Sequence, residues 1–281
     1  MLATLNEVLK IAEENQYAVG AFNTPNLECL LAVIRNAEEM KVPVIISHAQ
    51  LHEETAPLAD IGPVMVFLAE KAQVPVCVHL DHGETLAYLQ RALELGFTSI
   101  MYDGSLLSYE ENVENTKKAV AMAAKAGASV EAEIGVLGGR EAGAKPSGQK
   151  AEDLYTDPAL AKRFVEDTGI DALACSFGTA HGIYKVKPKL DFDRIEKIQS
   201  LVSIPLVMHG GSGVSPEDYR TAISRGIRKI NYYSYMSNAG AKAAKELLDT
   251  QEVTFFHEIA DAAQKAMRAD VRRAMEVFYG K

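Results

Sequence analysis

VPVCVHLDHGETLAYLQRALELGFTSIMYDGS, residues 74–105, reads as strand, helix, strand. An apolar run at 74–81 is followed by helical patterning from Thr85 to Leu95, a stop at Gly96 and a second apolar run at 99–103. Both runs are too apolar to leave one face in water, as strands covered on two sides are. A strand, a crossover helix and a second strand of this kind form a βαβ unit, whose strands are parallel.

The same alternation extends in both directions. Further strand candidates lie at 17–23, 42–48, 129–135, 172–178, 205–210 and 229–233. Between and after them, helical patterns occupy 27–41, 56–73, 109–126, 158–168, 193–200, 216–224 and 239–248. Ser108, Asp157-Pro158 and Ser215-Pro216 are start signals, and Gly127, Gly169 and Gly226 are stops. Eight β–α units predict a single (β/α)₈ barrel domain over residues 1–281, with a C-terminal helical extension at about 256–279. An open doubly wound sheet is the alternative, but no G-x-G-x-x-G follows the first strand. The polar segment 138–153 reads as a long loop after strand five.

Composition narrows the partners. With 29 basic against 38 acidic residues the net charge is −9, which disfavours nucleic acid and anionic membranes as partners. Any anionic substrate needs a local site. Cys29, Cys77 and Cys175 form no CxxC pair, and the last two sit in apolar runs as small hydrophobes. With no signal-peptide pattern at the N-terminus and no long apolar span, a cytoplasmic protein is expected.

In a barrel, chemistry collects where strands end and βα loops begin. Polar residues fall at those places here: Asn23, the tract His79-Leu80-Asp81-His82, Asp103, Glu131 and Glu133, His181 in GTAHG, His209 before GGSG, and Asn231. His82, His181 and His209 follow strands three, six and seven and should face one end of the barrel. Three neutral imidazoles with an open fourth position suit a catalytic zinc ion. Strand alternation puts His79 and Asp81 on one face, which makes Asp81 either a ligand support or a proton-transfer group. His48 and His79 read as supporting residues, His52 and His257 as surface residues. Backbone N–H groups of Gly210, Gly211 and Ser212 could cradle an anion.

These motifs resemble the class II, zinc-dependent ketose-bisphosphate aldolase family, in its tagatose- and fructose-bisphosphate branch. HLDHG (79–83), GTAHGIYKVKPKLDF (178–192), VMHGGSG (207–213) and KIN (229–231) carry the likeness, with GAFN (20–23), DGS (103–105) and VEAEIGVLGG (130–139). The resemblance implies retro-aldol cleavage of a phosphorylated ketose to dihydroxyacetone phosphate and an aldehyde. It implies one Zn²⁺ per subunit on His82, His181 and His209, admits a monovalent cation, and makes Asp81 and a loop Glu141 the proton-transfer groups. Asn23, Gly182, Lys185, Gly210, Gly211, Ser212, Asn231 and Ser234 would hold the substrate, and a homodimer or homotetramer is implied. The turn NYYSY (231–235) and Ser47-His48-Ala49 depart from the family pattern, which points to an aldehyde other than glyceraldehyde 3-phosphate. Competing classes are a zinc hydrolase on the same barrel, a Schiff-base aldolase, and a non-catalytic partner subunit. For the Schiff-base reading, Lys229 starts its strand at the wrong end and Lys185 lies beyond strand six.

Overall fold

The structure, a computed structural model, describes residues 1–135 and 155–281. Eight parallel strands close into a barrel: β2 (Val19–Asn23), β3 (Val44–Ala49), β4 (Val76–Gly83), β5 (Ser99–Tyr102), β6 (Ser129–Ile134), β7 (Ala172–Cys175), β8 (Leu206–Met208) and β9 (Ile227–Tyr232). Each pairs with the next, and β2 pairs with β9 to complete the ring. A ninth strand, β1 (Leu2–Ala3), adds to the foot of β4, and helix α1 (Leu5–Asn15) follows it. Neither was expected from the strand–helix alternation. β1 is too short to show a period, while Thr4 and Glu7 form a reciprocal capping box that starts α1.

The helices α2 (Leu27–Met40), α3 (Leu58–Lys71), α4 (Leu86–Glu94), α5 (Tyr109–Ala126), α6 (Pro158–Thr168), α7 (Phe192–Leu201), α8 (Pro216–Ser224) and α9 (Ser234–Thr250) form the outer layer. Thr85, Ser108, Asp157 and Ser215 each accept an N–H of their helix's first turn. Gly127 and Gly169 close α5 and α6 in the left-handed region, where a side chain would be strained. Leu30, Met65, Leu89, Phe164 and Ile195 are fully buried between this layer and the barrel. Each such side chain contributes roughly 1.5–3 kcal/mol relative to exposure. The last helix, α10 (Phe256–Phe278), packs on α2 and α9 and buries Val271, Met275 and Phe278. Cys29, Cys77 and Cys175 are free and buried. Among the described residues, no helix is long and apolar enough to cross a membrane.

The barrel lumen is polar at one end. Side chains of strands that are not neighbours meet there, which places them inside: Asp81 of β4 with Asn23 of β2 and Asn231 of β9, and Glu131 of β6 with Lys229 of β9. His79 shares that face with Asp81, as alternation predicts, and bonds Ser99 at 2.8 Å.

Candidate active site

The site begins with a backbone exception. His82 should point out of the barrel, opposite to Asp81, but its φ is +47°. A left-handed residue breaks the alternation, and the pairing of β4 with β5 shifts register between Leu80 and Gly83. The imidazole is thereby returned to the barrel mouth, beside His209 at the end of β8. The unusual conformation of a histidine is a cost that a functional site can justify.

Each of these two imidazoles is held from behind by a carboxylate. His82 Nδ1 lies 2.9 Å from Asp103 Oδ2, and Asp103 is itself fixed by the Ser105 N–H and hydroxyl. His209 Nε2 lies 2.8 Å from Glu131 Oε1. With both of those nitrogens donating, His82 Nε2 and His209 Nδ1 face each other at 2.9 Å with lone pairs opposed. Only a proton or a metal cation between them relieves that repulsion. His181 completes the group, its ring centre 4.9 Å from that of His82 and 5.8 Å from that of His209. One nitrogen from each of the three falls within 4.8 Å of the others. This donor set, with carboxylates orienting the far ring nitrogens, fits a divalent metal.

The local field agrees. Burial alone lowers an imidazole's affinity for a proton, yet Asp81, the Asp103 hydrogen bond and Glu133 outweigh it and carry His82 up to about 10. The same negative groups also favour a metal cation, which would have to displace that proton. Burial pushes the neighbouring Glu133 well above its ordinary value, with Asp103 adding to the rise, and Glu133 Oε2 is buried without a hydrogen-bond partner. Glu133, Asp103 and His82 form a second group with ligand-like spacing.

Asp81 lies beside this centre, 2 % exposed. Its two oxygens accept from Asn23 Nδ2 at 3.1 Å and Asn231 Nδ2 at 3.0 Å. Burial would raise its pKa, but His82, His209 and Lys229 overcome that and hold the carboxyl well below the usual carboxylate range. Asp81 is therefore held as an anion in a fixed position. The carbonyl oxygens Oδ1 of both asparagines are buried without partners, free to accept from a polyol.

Next to Asp81 opens a small cleft, lined by Asn23, His181, Gly182, Gly210, Ser212, Asn231 and the chain from Tyr232 to Ser234. One wall is the N-terminus of α9, which has no side-chain cap on its first turn, while the Tyr233 amide just before it donates to Ser212 Oγ at 2.9 Å. A helix N-terminus can stabilise an anion through its amides and the helix dipole together. A Cβ on Gly210 would come within 2.4 Å of Ala180 O, so glycine lets the loop after β8 press against the one that carries His181. Tyr184 ties the two loops, accepting from Ala180 N–H and donating to Gly210 O.

Not every expected residue reaches the cleft. The Gly211 amide donates to Asn231 O, which removes it as a cradle donor, and Lys185 is exposed and outside the lining. Glu141 lies outside the described residues. His52 is buried at 9 % exposure rather than on the surface, because the 3-10 turn Gln50–His52 folds it edge-on against the Tyr233 ring at 5.2 Å. His257 is exposed as expected. Of the three tyrosines, Tyr232 turns its hydroxyl outward to Asp270 at 2.8 Å and Tyr235 packs over Gly213, so Tyr233 is the ring beside the cleft. Sequence reasoning gave no role to Asp103, Glu131 or Tyr184. The period-two Glu131 and Glu133 inside an apolar strand were a usable signal of carboxylates in the lumen.

Comparison with known proteins agrees with this geometry. The model of the family "Fructose-bisphosphate aldolase class-II" matches residues 3–281. The protein YdjI of Escherichia coli K12 is 38% identical over 278 residues, covering 99% of this chain and 98% of its own. The crystal structure of the YdjI aldolase superposes with a TM-score of 0.88 at 37% identity, over 99% of this chain and 97% of that one. A candidate fructose-1,6-biphosphate aldolase from Coccidioides immitis gives 0.87 at 30% identity, over 98% and 95% of the two chains. The chain belongs to the class II fructose-bisphosphate aldolase family.

Proposed function

We propose that this protein is a metal-dependent aldolase that reversibly cleaves a phosphorylated ketose to dihydroxyacetone phosphate and an aldehyde. The observation that carries the reading is the adjacency of three converging imidazoles, an ionised buried Asp81 and an open helix N-terminus around one cleft. His82, His181 and His209 would hold one Zn²⁺ per subunit. When bound, the ion supplies a Lewis acid for the ketone and for the negative charge that C–C cleavage leaves on it.

The side chains do the rest. Asp81 takes the proton from the hydroxyl beyond the breaking bond and returns it to the aldehyde oxygen in condensation. Asn23 and Asn231 keep its oxygens fixed and accept from substrate hydroxyls. Glu141 is assigned, by family resemblance, the proton exchanged at the carbon of the dihydroxyacetone half. The phosphate of that half is bound by Gly210, Ser212, Ser234 and the first amides of α9, beside Gly182. The turn NYYSY (231–235) departs from the family pattern and brings the Tyr233 ring beside the cleft, which favours a ketose with one phosphate rather than two. Tyr233 and His52 then border the aldehyde half.

A zinc hydrolase leaves the α9 terminus and the paired asparagines without a task. We assign a homodimer or homotetramer, with exposed Leu248, Phe255 and Phe256 near the α9–α10 turn as candidate contacts. The test of the substrate is kcat/KM across ketose 1-phosphates and ketose 1,6-bisphosphates. A 1-phosphate is expected to lead, and fructose or tagatose 1,6-bisphosphate leading the panel would overturn the one-phosphate assignment.

A further inference from the structure

One buried charge in the lumen has no part in the reaction as proposed. Lys229, in the middle of β9, is fully buried, with Nζ 2.6 Å from Glu131 Oε2 and 3.3 Å from His79 Nε2. Its neighbour Arg228 points the other way, to Glu13 and Gln16. The second oxygen of Glu131 is the one on His209 Nε2. The chain of contacts thus runs Lys229, Glu131, His209, and ends on the imidazole nitrogen opposite to the one that faces His82.

Stability is a poor reason for such a pair. Desolvating two charges costs about as much as their attraction returns, and apolar replacements of similar volume are often as stable. Geometry offers a better one. Glu131 is pinned at both oxygens, by Lys229 on one side and His209 on the other, so it can neither rotate away nor present a free oxygen to the centre. His209 then keeps its hydrogen on Nε2 and its lone pair on Nδ1. Carboxylates that orient a ligating histidine matter for metal affinity by about 10–100-fold. Lys229 is what orients that carboxylate.

We infer that Lys229 is a positioning residue for the metal centre, acting through Glu131 to hold His209 with Nδ1 toward the ion. The inference rests on the reading of His82, His181 and His209 as the metal-binding group. It predicts an effect on metal binding that depends on Glu131 being a carboxylate.

The test uses full-length protein stripped of metal and titrated with Co²⁺ and, in competition with a chromophoric chelator, with Zn²⁺. The variants are Lys229→Met, Glu131→Gln and the double Lys229→Met/Glu131→Gln, which keeps the volume but removes both charges. Wild type should bind one ion per chain and give a visible Co²⁺ band. Lys229→Met should weaken Zn²⁺ by about 10–100-fold and shift that band. The double variant should bind within about twofold of Glu131→Gln alone, since a residue acting through Glu131 has nothing left to act on. That last comparison also serves if Lys229→Met alone does not fold. Wild-type affinity and an unchanged band in Lys229→Met would overturn the inference, whatever its thermal midpoint. So would a further tenfold loss in the double variant over Glu131→Gln. Failure of the wild type to bind either ion would instead overturn the metal reading itself.

Discussion

The two walls of the cleft are built from different materials. On the side of β4, β5, β6 and β8 the chemistry is carried by charged and titratable side chains, His82, His209, Asp81, Asp103 and Glu131, each fixed by another side chain. On the side of the β8 loop and α9 it is carried by backbone: glycines at 210 and 182, the Ser212 turn and a helix terminus without a cap. The first wall needs partners because an unpaired ion in the lumen is expensive. The second needs only close approach, because amides carry no net charge to desolvate. The difference teaches where a mutation hurts chemistry and where it hurts only binding.

The largest effect should come from the side-chain wall. His82→Ala removes one of three proposed ligands and should lower turnover by roughly 10³-fold or more, with metal content lost in the same preparation. Asp81→Asn should cost about 10³-fold in kcat while metal content stays at the wild-type level, as a proton-transfer group requires. If Asp81→Asn also loses its metal, Asp81 belongs among the ligand supports.

Burial, with His52 adding to it, lowers His48 from 6.5 to about 4, behind β3. The fold keeps this imidazole neutral while the unfolded chain protonates it, so its contribution is whole above about pH 6.5 and is lost as pH falls toward 4. The loss is at most about 3 kcal/mol. Urea titrations of metal-free His48→Gln should show a shallower fall in stability over that window. An unchanged slope would remove His48 from the account.

The smallest effect belongs to the backbone wall. Ser234→Ala leaves the amides of α9 in place and removes only a hydroxyl, so KM should rise about tenfold with kcat nearly constant. A drop in kcat of the Asp81 kind would mean that the two walls are not separate in function.

How much of this was readable in the chain follows from the same division. Strand periods, caps and glycine stops made the barrel legible, and the histidines and Asp81 stood out because polar residues at the ends of apolar strands are costly. The register at His82 was not legible. Alternation alone would turn it outward, and its left-handed φ belongs to the bulge between β4 and β5. Lys229 was read as sitting at the wrong end of its strand, whereas β9 begins at Ile227 and sends the long lysine stem up the lumen to Glu131. The Gly211 amide looked available because a motif shows glycines but not the carbonyl of Asn231 that occupies one of them. Tyrosines 232, 233 and 235 looked alike in sequence and point three ways, since α10 supplies Asp270 for the first and Gly213 makes room for the last.

The central claim is that C–C cleavage depends on a metal held by the imidazole group and on a proton accepted by Asp81. The most direct measurement is the release of dihydroxyacetone phosphate from a panel of ketose 1-phosphates, by chelator-treated protein before and after Zn²⁺ is restored. Release should be absent after chelation, return with Zn²⁺ in the wild type, and stay absent in metal-loaded Asp81→Ala. Release that persists in chelator, with borohydride trapping the substrate on a lysine, would contradict it.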